Sequence, residues 1–429
     1  MKVRQTRIFQ LLALMILPVS THAFDDHHFY RASYLFDEPR FERNWLGTFE
    51  TWIGAGETCD GFNSIGNSVA LFDVWGVQNM RVLGNGVPHK DINDPIDLAL
   101  INLAALPANG CFAKLSFPGT FKIVEGGFRY FQNFNCGFFT ELQLPVRSMQ
   151  SCPAPFIDLS PENSLCCPGR SSPQWQEFLR QFDGILARYN LYYGPSKETG
   201  LGDLTWLLGW TRNFQQTEVL DFVDTTIKAG VLLPTAPCKN EDNIFAIPLG
   251  YNGHFGFPVS LDMSLGLYGW FSAGFHAGAL VFFDRNACQR IKTDINQSGI
   301  LKLAKANVTA ESGALWDLGG FFKADHLGKG LSITVGYTFA SKQADYVCSN
   351  IDCPPPNILF DANIANRDET LQGWNMHTLN LFIEYDFNRE NYMFGPRVGF
   401  IYNVVLGGNN IFNNNIVGGT FGLDIAWKL

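Results

Sequence analysis

Along much of the chain, apolar residues alternate one for one with small or polar residues. The clearest run is 255–268. There Phe255, Phe257, Val259, Leu261, Met263, Leu265 and Leu267 form one face, and Ser260, Asp262, Ser264, Gly266 and Tyr268 form the other. A period of two places successive side chains on opposite faces of a strand. The pattern recurs at 203–211, 223–233, 331–339 and 374–387, and less cleanly at 272–283, 313–324 and 394–403. Upstream it marks 45–55 and 138–147. Segment 119–132 is strand-like, but its alternation slips at Gly126-Gly127, which predicts a β-bulge there. With 416–429 added, the pattern predicts twelve strands.

The connections between these segments alternate in length. Short turns follow residues 132, 268, 324 and 387, whereas 56–118, 148–202, 234–254, 284–312, 340–373 and 404–415 are long loops. Short turns at one end and long loops at the other are the layout of a transmembrane β-barrel. An even strand number also returns both chain ends to the periplasmic side. Two helices are expected within the loops. Asp94 suits an N-cap, Pro95 the first helical position and Asp97 the first turn. The second starts near Ser172-Pro173 and carries Trp175, Phe178, Leu179, Phe182, Ile185, Leu186 and Tyr189 at helical spacing. That stripe is expected to pack at the barrel mouth.

Composition sharpens this picture. Only 17% of the 429 residues are charged, against about 25% in a typical soluble domain. Mean hydropathy is nevertheless −0.01. The one long apolar run, Ile8 to Val19, falls short of the roughly 18–20 residues a membrane helix needs. A polytopic helical transporter is thereby excluded. Single lipid-facing positions, every second residue, account for apolar side chains that never gather into a long run. The formal net charge of −9 excludes the basic footprint of a nucleic-acid binder.

The N-terminus has the three parts of a secretory signal peptide: Lys2, Arg4 and Arg7, then the apolar core, then Thr21-His22-Ala23. Residues 1–23 are read as the signal peptide, 24–42 as a periplasmic segment and 43–429 as the barrel. Loss of the three basic residues takes the net charge from −9 to −12. In an exported protein an even count of 10 cysteines favours disulfides. Cys348 and Cys353 could close one loop locally, and the remaining connectivity is open. No cysteine or histidine spacing calls for a metal, and the Asp91–Asp94 stretch lacks the spacing of a calcium loop. No cofactor is expected.

The last strand places Phe421, Leu423, Ile425, Trp427 and Leu429 on one face, and Gly422, Asp424, Ala426 and Lys428 on the other. This ending resembles that of bacterial outer-membrane β-barrel proteins, porin-like in their layout. Those proteins usually end in Phe or Trp, where this chain has Leu429. The resemblance implies placement in the cell outer membrane, contact with outer-membrane lipid, and recognition of those five residues by the barrel-assembly machinery. Aromatics near strand ends (Trp45, Trp210, Tyr337, Tyr385 and Trp427) fit an interfacial girdle.

Inward positions carry the candidate chemistry. The expected pore-lining charges are Glu50, Glu141, Arg147, Asp203, Asp224, Lys228, Asp262, Asp317, Lys323, Glu384, Arg397 and Asp424. Many other inward positions are Gly, Ser or Thr, which leave room. Twelve strands give a backbone radius of roughly 12 Å, wide enough for water unless a loop plugs the lumen. Loop 56–118 is the expected plug. The resulting expectation is a channel for passive diffusion of small hydrophilic solutes, mildly favouring cations through its acidic excess. The alternative that the inward charges pair with one another stays open. So does a surface adhesion barrel with disulfide-stiffened loops. An outer-membrane hydrolase built on His254, His276, His326 or His377 is a lesser alternative, because no nucleophile motif accompanies them. The sequence does not fix the oligomeric state.

Overall fold

The computed structural model describes residues 26–34, 46–87, 91–106, 112–162, 169–215, 220–327, 330–349, 360–387 and 394–426. Twelve strands close an antiparallel barrel. They are β1 (Leu46–Thr58), β2 (Gly119–Asn133), β3 (Phe138–Pro153), β4 (Leu204–Gln215), β5 (Phe222–Leu233) and β6 (Gly256–Leu267), followed by β7 (Phe271–Phe282), β8 (Leu315–Leu327), β9 (Leu331–Lys342), β10 (Trp374–Asp386), β11 (Phe394–Asn409) and β12 (Ile416–Ala426). Neighbours in sequence are neighbours in space, β12 pairs with β1, and each pairing is antiparallel. The strand number and positions agree with the alternation in the sequence.

The ladder between β3 and β4 contains a break. Lower β3 pairs with β4, from Gln143↔Thr205 to Phe138↔Trp210, while upper β3 pairs with Ser196–Leu201. The break falls at Pro145, which has no N–H to give to the ladder. There Gly202 N donates to the Pro145 carbonyl at 2.8 Å.

The barrel exterior is apolar. Phe128, Leu142, Trp206, Leu208, Phe275, Leu318, Val335, Leu379 and Phe400 all stand exposed. In water such a continuous apolar surface would be a liability, whereas against lipid it is required. At the short-turn end Phe138, Tyr268, Trp270, Phe387 and Phe394 are exposed as an aromatic rim. Tyr337 and Tyr385 also face out, while Trp45 and Trp427 lie outside the described residues. With every strand paired on both sides, backbone polar groups are satisfied internally, as a lipid-spanning chain demands.

The expected bulge at Gly126-Gly127 does not form. Register runs unbroken through Gly126↔Ile53 and Gly127↔Trp52 on one side, and through Gly126↔Val146 and Gly127↔Pro145 on the other. What changes along β2 is the inward environment. Phe121 and Ile123 face an apolar core, whereas Glu125 and Arg129 face a polar lumen. Hydropathy inverts while the pleat continues. Bulges occur instead at Ala324/Leu327 and His377/Thr378.

The long loops fold together over one mouth of the barrel as a cap. Helix α1 (Pro95–Ala104) is capped by Asp94, which accepts from Ile96 N at 2.8 Å. Helix α2 (Pro173–Arg188) starts at Ser172 and buries Trp175, Phe178, Phe182, Ile185 and Leu186. A third helix, α3 (Ala362–Ala365), is a single turn that the sequence pattern did not announce. Asp242 ties two cap segments, accepting from Arg290 and Lys305 at 2.9 Å each. The Lys305 hydrogen bond, then that of Arg290, holds its carboxyl below the usual carboxylate range. A depressed carboxyl stabilises above its unfolded-state value, and that contribution is lost as pH falls through the folded-state value. Asp242→Asn is therefore expected to lower cap resistance to proteolysis at pH 7, with the difference shrinking as pH falls below the usual carboxylate range. The effect is small, as for other half-exposed ion pairs.

Among the described residues six cysteines (Cys59, Cys136, Cys152, Cys238, Cys288 and Cys348) are free thiols. The partner expected for Cys348, Cys353, lies outside the described residues, as does the segment read as a signal peptide.

Candidate functional site

The lumen is closed by protein. The closing segment is not loop 56–118, whose helix and short strands belong to the cap. It is 26–34, part of the stretch read as periplasmic. Tyr30 and Arg31 are among the largest fully buried side chains, and His27, Ser33 and Tyr34 are buried with them. The segment has no periodicity of its own and borrows its shape from the wall. Phe412 N donates to the Phe29 carbonyl and Ala32 N to that of Asn414, both at 2.9 Å. Asn414 Nδ2 donates to the Tyr30 carbonyl at 3.0 Å, and Asn380 Nδ2 to that of Ser33 at 2.7 Å.

The inward charges are paired rather than open to water. Arg397 contacts Glu384 at 2.7 Å, Asp424 at 3.2 Å and Glu50 at 3.9 Å. Glu50 also faces Arg129 at 3.9 Å, and Arg129 holds Glu141 at 2.7 Å. Lys228 joins Glu141 at 3.2 Å and Asp262 at 3.7 Å. Charges of alternating sign thus run around the inner wall from β10 to β6. Higher up, Arg147 meets Glu125 at 3.1 Å, and Arg31 of the closing segment meets the same carboxylate at 3.0 Å. In the expected set, Glu141 and Asp317 have fully buried side chains, and Lys228 is 1% exposed. The side chains of an open pore would be wet. Each carboxylate of this ring thus has a basic neighbour, five carboxylates sharing Arg397, Arg129 and Lys228.

Four of the expected residues sit apart from this chain of charges, Asp317 with its two histidines among them. Asp203 accepts from Ala236 N at 3.0 Å and Tyr251 N at 2.6 Å, and so anchors the loop after β5. Asp224 is half-buried beside Asn213, and Lys323 faces Asp325 at 3.9 Å. The pattern missed Glu125 and Arg129 because the apparent slip in β2 obscured their face. Their signal was the unbroken odd-numbered series from Phe121 to Phe131.

Inward glycines do not widen the lumen. A Cβ on Gly422 would press on the Arg397 guanidinium, and one on Gly319 would overlap the His276 ring. These positions are bare so that a neighbour's side chain can lie across them.

Among the described residues the histidines have individual partners, and the side chain of His326 lies outside them. His377 Nδ1 faces Tyr337 OH at 2.5 Å on the outer wall, and His254 Nδ1 meets the Phe283 carbonyl at 2.9 Å. Burial lowers the pKa of His254. His27 Nδ1 meets Ser33 Oγ at 2.8 Å, and its Nε2 lies 3.5 Å from Asp317 Oδ2. His276 Nε2 stands 3.8 Å from the same oxygen. The Ser33–His27–Asp317 line has the residue types of a hydrolase, but Ser33 is buried within the lumen. Among the described residues no group of metal-ligating side chains is arranged to hold a metal.

Above the closing segment the cap encloses a cavity of ≈ 230 Å³. Its lining includes Phe72, Trp75, Phe245, Tyr251 and Trp374, and its floor is His27, His28 and Phe29. His28 stacks on Tyr30 and on Tyr251, each at 4.7 Å between ring centres. Phe29 meets Trp75 edge-on at 5.6 Å. Several charged lining residues are matched, Lys302 with Asp368, Lys342 with Asp345, and Arg290 with Asp242, while Glu311 lies beside the Cys348 thiol.

A closed barrel with an apolar exterior, a polar interior and loops gathered at one mouth is an outer-membrane β-barrel. Solved structures that align with most of the chain's length include three from Pseudomonas. An outer membrane channel from Pseudomonas putida F1 is 8% identical, with 91% of this chain and 100% of that chain covered, at a TM-score of 0.49. A FadL homologue from Pseudomonas aeruginosa is 10% identical, with 90% and 91% covered, at 0.30. The toluene transporter TodX from Pseudomonas putida is 11% identical, with 89% of each covered, at 0.33. No family model and no curated protein matches the sequence.

Proposed function

We propose that this protein is a gated outer-membrane channel whose solute first occupies the cap cavity. One observation carries the reading: the residues that floor the cavity, His27, His28 and Phe29, belong to the segment that closes the lumen. A solute in the cavity rests directly on the gate. Aromatic walls and internally matched charges suit a small uncharged aromatic or amphipathic solute. This replaces the expectation of open, cation-favouring diffusion.

Benzyl alcohol is a suitable probe, with benzylammonium and benzoate as its charged counterparts. The neutral compound is expected to bind the detergent-solubilised protein most tightly by calorimetry. Trp75→Ala is expected to weaken it about 5-fold, an aromatic contact being worth roughly 0.5–1.5 kcal/mol. Equal binding of all three compounds, or no effect of the substitution, counts against the cavity as the entry site. For insertion, Phe421, Leu423 and Ile425 face outward on β12, which supports their reading by the assembly machinery.

A further inference from the structure

Four charges, three of them buried and Asp26 partly so, join the closing segment to the wall. Glu125 and Arg147 lie directly opposite each other on β2 and β3 and pair at 3.1 Å. On the segment, Asp26 and Arg31 face each other at 3.5 Å. When the segment is seated, Arg31 reaches Glu125 at 3.0 Å and Asp26 contacts Arg147. The result is a square of alternating sign in which every charge has two opposite neighbours.

Such a square has a particular property. Removing one member of a buried ion pair is strongly unfavourable, because the remaining charge stays unpaired in a low dielectric. Within the square, withdrawal of the segment breaks only the contacts between the two halves; outside it, His27 leaves Asp317, which keeps His276 at 3.8 Å. Glu125 keeps Arg147 through the β2–β3 register, and Asp26 keeps Arg31. The backbone offers no obstacle either. The segment's backbone groups are held by the 410–415 loop, by Asn380 and Thr378 of β10 and by Tyr251 OH, partners that water can replace once the lumen opens.

We infer that residues 26–34 form a reversible strap, seated and released as a self-neutral unit. This deepens the channel reading above by supplying its gate, although strap release does not require that any solute pass.

The Arg31–Ala32 bond reports the state of the strap. Arg31 is 2% exposed when seated, so trypsin can cut after it only on release. Cleavage of a transiently opened site follows the open population. The experiment treats the full-length protein in lipid vesicles and in detergent with trypsin, and follows the N-terminal peptide by mass spectrometry. Slow but measurable cutting after Arg31 is expected in the unaltered protein. The wall pair is then neutralised in one step, Glu125→Gln with Arg147→Gln. That variant keeps the wall uncharged and removes the contacts to the strap, so cutting is expected to accelerate about tenfold or more. Glu125→Gln alone leaves Arg147 without its wall partner and is expected to reduce the barrel's resistance to heat, which the double variant recovers.

If Arg31 stays uncut in every variant while exposed Arg180 is cut, the segment is fixed filler and the strap is wrong. Equal cutting in the double variant and the unaltered protein also overturns it. Cutting without any solute binding or conductance would instead remove the channel reading and leave the strap standing.

Discussion

Replacing Glu141 with alanine is expected to lower the unfolding stability of the barrel by about 3–5 kcal/mol, the usual result of removing one member of a buried ion pair. Glu141 accepts from Arg129 Nε at 2.7 Å and Gln143 Nε2 at 2.6 Å, and it also holds Lys228 at 3.2 Å. Alanine there takes the nearest carboxylate from two cations, leaving Arg129 facing Glu50 at 3.9 Å and Lys228 facing Asp262 at 3.7 Å. Urea unfolding of the protein in lipid vesicles, followed by heat-modifiable gel mobility, measures the loss. A second substitution, Lys228→Met, removes one of the stranded charges and is expected to restore part of the stability. If the single variant is as stable as the parent, the chain of charges is not holding the wall.

The other large effect is functional. Deleting residues 26–34 is expected to turn a closed barrel into a conducting one in planar bilayers, while heat-modifiable mobility shows that the barrel still forms. The barrel tolerates this loss because its wall charges remain matched: Glu125 with Arg147, Glu141 with Arg129 and Lys228, and Arg397 with Glu384 and Asp424. The seated segment contributes the buried rings of Tyr30 and Tyr34 and the side chain of Arg31 to the upper lumen. Their removal opens space that no other described residue fills. A folded deletion variant with no conductance would show that the lower tier of ion pairs closes the lumen unaided, and the gate would then have to be sought there.

These two expectations differ in how much of them could be read from the sequence. The inward location of Glu141, Lys228, Asp262, Glu384, Arg397 and Asp424 follows from strand alternation alone. Their pairing does not. Arg397 and Glu50 are separated by most of the chain, and barrel closure through β12 and β1 brings them together. The helix at Pro95–Ala104 was legible because its cap is local: Asp94 needs only the N–H of Ile96. The Gly126-Gly127 step was misread for the converse reason. A change of environment along one strand, from apolar cap to polar lumen, looks like a change of phase when only hydropathy is visible. The closing segment, Asp26-His27-His28-Phe29-Tyr30-Arg31, offered a signal of another kind. Aromatic rings and both signs of charge crowd into six residues, which is unusual for a solvated linker.

The sequence by itself determined the twelve strands, their faces, the sorting of short turns from long loops, and the starts of two helices. Each depends on neighbours a few residues away, through a pleat of period two or a cap of one turn. The tertiary structure decided what the lumen contains. Residues 26–34 have no periodic pattern and take their conformation from β10 and the 410–415 loop. The inward charges acquire partners only when the ring of strands closes. Whether a polar interior is a water-filled pore or a closed, ion-paired core depends on those distant contacts, because a charge's alternatives, water or an opposite charge, are fixed by what else occupies the same space.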